Sequence, residues 1–127
     1  MPSAELDAEI DAGVEFWVVE DESGRLAGAM GIQEVADVSL IRHAYVAPAA
    51  QGSGVGRRLL AALVARTQRP LLVGTWTAAE WAIRFYERNG FRRCSDSRAR
   101  ELLERYWSIP ARQVETSTVL ELIRPDR

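Results

Sequence analysis

The residues best suited to chemistry lie in a short glycine loop. Residues 44–64 read AYVAPAAQGSGVGRRLLAALV, which places Gly52, Gly54 and Gly56 between an apolar segment and an amphipathic one. A helix N-terminus carries about half a positive charge and free N–H groups, and glycines before it let a phosphate approach closely. The same glycines could form only a turn that requires positive φ. The spacing alone leaves both interpretations open.

Two widespread phosphate motifs do not fit this loop. A Walker loop needs lysine after its last glycine, whereas Arg57 follows Gly56. The dinucleotide fingerprint GxGxxG begins at Gly52 and Gly54 but meets Arg57 at its third glycine position. No acidic residue follows at the spacing of about 20 residues that a ribose partner requires. ATP and NAD are therefore not the expected ligands.

The elements around the loop predict a sheet with helices packed on it. Apolar residues at helical spacing predict a helix from Val55 to about Gln68. The other predicted helices are Ser3–Ala12, Ala79–Asn89 and Ser97–Tyr106. The predicted strands are Phe16–Glu20, Leu26–Glu34, Val38–Val46, Leu71–Trp76, Phe91–Cys94 and Val114–Ile123. Because Leu71–Trp76 follows a helix, it should pair in parallel with the third strand. The predicted fold class is α/β, an α+β mixed sheet, in a single domain over residues 1–127.

Composition narrows the class of protein. The chain has 127 residues and a formal net charge of −2, which gives no bulk attraction to nucleic acid or to a membrane. Its one cysteine, Cys94, excludes a disulfide framework and a cysteine-based zinc site, and suits a reducing compartment. No apolar run approaches the roughly 20 residues of a membrane span, and the N-terminus lacks a signal layout. We expect a cytoplasmic protein with no metal, no nucleic-acid partner and no membrane anchor.

Two separated motifs together resemble the GNAT (Gcn5-related N-acetyltransferase) superfamily. The loop Gln51-x-x-Gly54-x-Gly56 is similar to the family's Q/R-x-x-G-x-G/A signature, and Tyr45–Pro48 looks like the end of the strand before it. Residues 82–91, AIRFYERNGF, resemble the family's A-I-x-F-Y-x-x-x-G-F block at the family's spacing. The resemblance covers roughly residues 16–94 and implies the GNAT acyl-CoA N-acyltransferase fold.

The resemblance implies an acetyl-CoA site formed largely by backbone groups. In the family the glycine loop holds the pyrophosphate, and the strand before it pairs with the pantetheine arm. Carried onto this chain, the N–H of Val46 would polarise the thioester carbonyl, and Arg57 and Arg58 would reach the phosphates or the adenosine. The expected acetyl-CoA-binding residues are Tyr45, Val46, Ala47, Gln51, Gly52, Ser53, Gly54, Val55, Gly56, Arg57 and Arg58.

The resemblance also implies proton transfer to and from the reacting groups. Tyr86 matches the family's tyrosine near the thioester sulfur, which acts as a general acid. A lysine-like amine with a pKa of about 10.4 must lose a proton before it attacks. Several family members use an acidic residue on the strand before the loop, but Ser39–Ala44 contains none. His43 is the candidate base, since its ordinary pKa lies near 6.5. The other candidates are a water relay and the carboxylates of Glu34, Asp37 and Glu80.

The chain departs from the family pattern in two further places. Ala79 stands where many members have an asparagine that touches CoA, so that contact should be absent. Only one short predicted helix precedes Phe16, whereas the family usually opens with a strand and one or two helices. Those elements often wall the acceptor site and cover a sheet edge. We therefore expect a fold shortened at its N-terminus, and either a homodimer or an unusually open acceptor site.

The sequence thus predicts an acetyl-CoA-dependent N-acyltransferase. It would move an acetyl group to a primary amine by direct attack, with a small-molecule amine or a peptide amine as acceptor. The alternative is a catalytically weak or inactive CoA-binding regulatory module of the same fold. The sequence does not identify the acceptor or the acyl chain length.

Overall fold

A computed structural model gives the structure of the chain and describes residues 10–124. The chain divides into two compact units, Met1–Arg69 and Pro70–Arg127. Residues 3–9 of the predicted first helix lie outside the described residues, while Ile10 and Asp11 are helical. No helix within residues 10–124 is long and apolar enough to cross a membrane.

The first unit is an antiparallel meander followed by a helix. Its strands are β1 (Val14–Glu20), β2 (Leu26–Val35) and β3 (Val38–Val46), with β2 in the middle. A short 3-10 turn (Pro48–Ala50) and the glycine loop lead into helix α1 (Val55–Arg66). The three predicted strands and the predicted helix are confirmed, with ends shifted by two residues or fewer.

Helix α1 packs on one face of the meander because β2 has a glycine beneath it. A side chain at Gly28 would place its Cβ 2.6 Å from Val55 Cγ1 and 3.1 Å from Leu59 Cδ1. The helical spacing of apolar residues in α1 places Val55, Leu59, Leu60 and Leu63 on its buried face. Beyond the other end of the helix, the buried hydroxyls of Ser39 and Thr67 form a hydrogen bond of 3.0 Å. The helix is thus fixed near both of its ends.

The second unit is a three-stranded antiparallel arrangement with three helices. In chain order its elements are β4 (Leu71–Trp76), α2 (Glu80–Arg88), β5 (Phe91–Arg93), α3 (Asp96–Tyr106), α4 (Ala111–Glu115) and β6 (Ser117–Leu122). Strand β6 lies between β4 and β5 and pairs antiparallel with both. Helix α4 was not predicted from the sequence, and the predicted last strand begins three residues before β6 does. The parallel pairing expected for Leu71–Trp76 and the single-domain organisation stay predictions.

Two tryptophans lie outside the core, although their large apolar rings favour burial. Trp81 is 77% exposed. Trp17 is 37% exposed and donates a hydrogen bond of 2.6 Å to Glu15. The helical spacing places Ala82, Ile83 and Tyr86 on the buried face of α2, and Trp81 lies on the opposite face. Cys94 is buried as expected, and burial raises the pKa of its thiol.

Candidate acyl-CoA site

The glycine loop owes its glycines to backbone conformation. Gly52 has φ +81° and Gly54 has φ +86°, a region that side chains other than glycine rarely adopt. A Cβ at Gly52 would meet no atom within 4 Å, and one at Gly54 would meet only the Arg57 guanidinium, at 3.9 Å. The protein therefore does not fill the space above these glycines. This loop is open on the side where a ligand would lie.

The first turn of α1 presents N–H groups that no other described group accepts. The first helical bond from α1 to the loop is donated by Arg58 to the carbonyl of Gly54, at 3.0 Å. Within residues 10–124 the N–H groups of Val55, Gly56 and Arg57 donate no hydrogen bond. Gly54, the residue before the helix, provides no side-chain cap, and the first turn holds no acidic residue. This end of the helix is therefore positive, and neither its cap residue nor its first turn compensates that charge.

The loop itself is held by local bonds that leave this turn untouched. Ala50 donates to Ala47 at 2.9 Å, and Gln51 donates to Pro48. The N–H of Ser53 bonds to the carbonyl of Ala50 at 3.2 Å, and so does its hydroxyl. These bonds fix the loop without a ligand. Arg57 and Arg58 are exposed beside it, which suits an anionic ligand.

Backbone groups alternate in direction along the end of β3. The N–H of Ala47 donates to the carbonyl of Ala27 at 2.8 Å, so it is already paired. In an antiparallel pair, residues two apart point their backbone groups to the same side. Tyr45, opposite Ala29, therefore also faces β2, whereas Val46 faces away from it. Of the three residues expected to pair with pantetheine, Val46 has the backbone orientation that this role requires.

A bulge interrupts β3 just before this end. Gly31 pairs with Arg42 and Ala29 pairs with Tyr45, so two residues of β3, His43 and Ala44, stand opposite one of β2. His43 has φ +54°, which is uncommon for a residue other than glycine. Its exposed ring stacks on Phe16 with centroids 6.1 Å apart. The bulge could not be predicted from the sequence, because a single extra residue barely changes the strand's alternation.

Two of the carboxylates considered as the base lie at the wrong end of β3. Glu34 pairs with Ser39, and Asp37 lies in the turn before β3, whereas the glycine loop follows Val46. The seven residue steps from Ser39 to Val46 correspond to about 23 Å of regular strand. Glu34 also forms an ion pair with Arg69 at 3.7 Å. His43, at the bulge, is the candidate base nearest to the loop along β3.

Tyr86 belongs to the second unit and lies on the buried face of α2. Its side chain is 5% exposed, and its ring meets Phe85 at 5.2 Å and Phe91 at 5.4 Å in edge-to-face contacts. Burial raises the pKa of Tyr86 to about 12. The phenol therefore stays protonated at neutral pH, so it can donate a hydrogen bond there but is not a phenolate base. Glu80, another carboxylate considered as the base, is exposed and pairs with Arg84 at 3.4 Å.

No group of three potential metal ligands occurs in the part of the chain that the structure describes. The site's polar groups are instead backbone N–H groups, arginines, a histidine and a phenol. These groups suit an anionic organic ligand and proton transfer.

Comparison with known proteins gives a family match over most of the chain. Residues 12–93 match the family model described as an acetyltransferase (GNAT) domain. This segment contains β1–β3, the glycine loop, α1 and the helix that carries Tyr86.

Solved structures give the same result for the fold. An acetyltransferase of the GNAT family from Staphylococcus aureus Mu50 is similar with a TM-score of 0.72 and 17% identity, over 95% of this chain and 78% of that chain. A Bacillus subtilis acetyltransferase in complex with CoA has a TM-score of 0.70 and 18% identity, over 94% and 82%. A GNAT family acetyltransferase from Elizabethkingia anophelis with acetyl-CoA bound has a TM-score of 0.69 and 16% identity, over 95% and 82%.

Proposed function

This chain belongs to the GNAT acetyltransferase family and has its acyl-CoA N-acyltransferase fold, and from that premise we propose that it acetylates a primary amine with acetyl-CoA. The observation that carries the proposal is the open first turn of α1, whose N–H groups at Val55, Gly56 and Arg57 lack acceptors within residues 10–124. The acceptor is a small-molecule amine or a peptide amine.

The donor is held chiefly through its pyrophosphate. Hydrogen bonds to charged groups contribute about 1.5–3 kcal/mol each, so three N–H groups together contribute roughly 4.5–9 kcal/mol. That range includes the roughly 8 kcal/mol of a micromolar affinity, before the cost of association. Arg57 and Arg58 add positive charge beside the same loop. The chain thus has enough donors for the pyrophosphate without a metal ion in that role.

The thioester is activated by the backbone of β3. The N–H of Val46 faces away from β2 and donates to the carbonyl oxygen of the acetyl group, where negative charge develops. The amine nitrogen attacks the carbonyl carbon, the carbon–sulfur bond breaks, and CoA leaves as a thiolate. One proton leaves the amine nitrogen, and one is needed by the sulfur.

Tyr86 serves the leaving sulfur as a hydrogen-bond donor. A phenol with a pKa of about 12 is a weaker acid than a thiol, whose ordinary pKa is about 8.5. Complete proton transfer would thus be uphill by about 3.5 pK units, or roughly 5 kcal/mol. Tyr86 therefore stabilises the thiolate through a hydrogen bond, and the proton from the amine reaches the sulfur in a later step. His43 or a water chain accepts that proton first.

Calorimetric titration with acetyl-CoA tests the donor site. Micromolar binding is expected, with no comparable binding of ATP or NAD. The Gly54→Glu variant places a negative charge in the loop and should lower the acetyl-CoA affinity by about 100-fold or more. Gly13→Glu is the matched control, because Gly13 also has positive φ and open space around its Cβ position. Equal loss of affinity in both variants would contradict the assignment of the loop.

Replacement of Tyr86 by phenylalanine tests the reaction itself. We expect kcat for acetyl transfer to fall by about 100-fold, because the thiolate loses its donor, while acetyl-CoA affinity changes little. A spectrophotometric assay of the free thiol released as CoA gives kcat, and calorimetry gives the acetyl-CoA affinity. An unchanged kcat would remove Tyr86 from the mechanism. Acetyl-CoA binding without turnover on any amine would favour the regulatory CoA-binding module.

A further inference from the structure

The sheet face opposite α1 carries an unusual row of residues across the three strands of the first unit. Phe16, Gly31 and Arg42 are directly paired neighbours in β1, β2 and β3. A Cβ at Gly31 would lie 3.3 Å from Phe16 Cε1 and 2.9 Å from the carbonyl oxygen of Arg42. The missing side chain therefore lets the Phe16 ring lie close to the sheet, beside the base of the arginine.

Arg42 is half-buried on this face and has no carboxylate partner among residues 10–124. Its Nη1 donates to Gln33 Oε1 at 2.9 Å, and Gln33 Nε2 donates to the carbonyl of Ala12 at 2.9 Å. No acidic side chain within residues 10–124 forms an ion pair with Arg42, whereas Arg66 pairs with Glu15. A guanidinium has five N–H donors, and the described contacts use one. The arginine is thus held in place, and no described carboxylate neutralises its charge.

Apart from the exposed His43 ring, which stacks on Phe16, the surface between Arg42 and Val46 is largely apolar. The next row along the same face is Val18, Ala29 and Tyr45, and both Val18 and Tyr45 are exposed. Val46 is four residues after Arg42, a distance of about 13 Å along a regular strand and about 10 Å when the bulge residue is discounted. This face therefore offers a cation and an apolar floor, and it leads to the backbone N–H that activates the thioester in the proposed function.

We propose that Arg42 binds the carboxylate of an acceptor whose amine lies about 10 Å from that carboxylate. An α-amino acid is too short for this span. An extended peptide advances about 3.3–3.6 Å per residue, so the matching acceptor is an apolar peptide of about three residues with a free C-terminus. Its amine lies at Val46, its apolar side chains lie over Ala29 and Tyr45, and Gln33 positions the guanidinium. This inference rests on the proposed function, since it places the amine at the thioester.

Acetylation of an alanine peptide series tests the length and the charge together. The acceptors are alanine and its di-, tri- and tetrapeptides, each as the free acid and as the C-terminal amide. The free acid should exceed its amide in kcat/KM by about tenfold or more at three residues, with little preference for alanine itself. A ratio at or below one at every length overturns the proposal.

Variants of Arg42 separate recognition from general damage. Arg42→Met should bring the acid-to-amide ratio at three residues to about one, mainly through KM. Arg42→Lys should restore part of the ratio, because a lysine keeps the charge but cannot form a bidentate contact. Arg25→Met is the matched control, since Arg25 is exposed in the turn between β1 and β2. The same ratio in Arg42→Met and the unaltered protein overturns the proposal.

A binding measurement distinguishes this inference from the proposed function. The Arg42 side-chain N–H signal, assigned by its loss in Arg42→Lys, is followed by nuclear magnetic resonance during titration with N-acetyl-trialanine and its amide. A shift with the acid alone supports the carboxylate site even if no acetyl transfer is found, in which case the proposed function fails separately. Transfer to amines without any such shift, and with no acid preference, refutes the carboxylate site and leaves the acetyltransferase intact.

Discussion

Two glycine turns of the first unit have nearly the same positive φ but differ in their hydrogen bonds. The turn between β1 and β2 has Gly24 at φ +83°, and the loop before α1 has Gly54 at φ +86°. In the first, the Asp21 carboxylate accepts bonds from the N–H and hydroxyl of Ser23 and from the N–H of Arg25. In the second, no side chain caps the N–H groups that follow. A positive φ therefore allows the chain to turn. Whether the turn only connects two elements or can also bind an anion depends on whether nearby side chains already accept its N–H groups.

The largest effect should come from the ligand itself. Acetyl-CoA at 100 times its Kd should stabilise the protein by about 2.7 kcal/mol, measured as a shift in thermal unfolding. Amide hydrogen exchange should slow at Val55, Gly56 and Arg57, while the amides of Ser23 and Arg25 keep their rates. Pantetheine, which lacks the pyrophosphate, is the control ligand. If acetyl-CoA slowed amide exchange equally in both turns, the glycine loop before α1 would not be the specific binding site.

A pair of alanine variants should separate conformation from binding. Gly24→Ala and Gly54→Ala should each lower the free energy of unfolding by about 1–2 kcal/mol, because both force a side chain into the left-handed region. Only Gly54→Ala should also weaken acetyl-CoA binding, since in the proposed function only that turn contacts acetyl-CoA. Chemical unfolding and calorimetry give the two quantities. A comparable loss of acetyl-CoA affinity in Gly24→Ala would show that the affinity falls with the stability of the protein and not because the loop before α1 is altered.

The smallest effect should come from the Asp21 carboxylate, which accepts the hydrogen bonds in the turn between β1 and β2. The Ser23 hydroxyl is the main cause that lowers the pKa of Asp21 below its ordinary value of 3.8. Because the pKa is lowered in the folded state, this contribution to stability is present above pH 3.8 and is lost as the pH falls through the lowered value. Asp21→Asn should show a slightly lower Tm at pH 7 and no difference at more acidic pH. Its acetyl-CoA affinity should match the unaltered protein.

Much of the first unit follows directly from local sequence. The turn residues Asp21–Gly24 predict the hairpin, and the leucines of α1 recur at helical spacing, so strand and helix are set by neighbouring residues. The glycine loop was found because its residue types are rare together before a helix. Short-range patterns of this kind are strong enough to predict without knowledge of the packing.

Features that depend on pairing could not be predicted in the same way. The bulge at His43 exists only relative to β2, and the free orientation of Val46 follows from the register with Ala29. Arg42 and Gln33 are nine positions apart in the sequence and meet only because β2 and β3 pair. The exposure of Trp81 depends on which face of α2 is buried. Each of these features depends on a paired strand or a packing surface that cannot be identified from the neighbouring sequence.

The contact of α1 with Gly28 has a consequence for ligand binding at the proposed anion site. Since Val55 and Leu59 lie against Gly28, and Ser39 bonds to Thr67 beyond the helix, the helix is in place before any ligand arrives. Preorganisation of this kind avoids the entropy cost of ordering a loop during binding. Association with acetyl-CoA should accordingly be a single fast step without a slow conformational phase. Gly28 on β2 allows this close packing of α1, because it has no side chain to hold the helix away from the sheet.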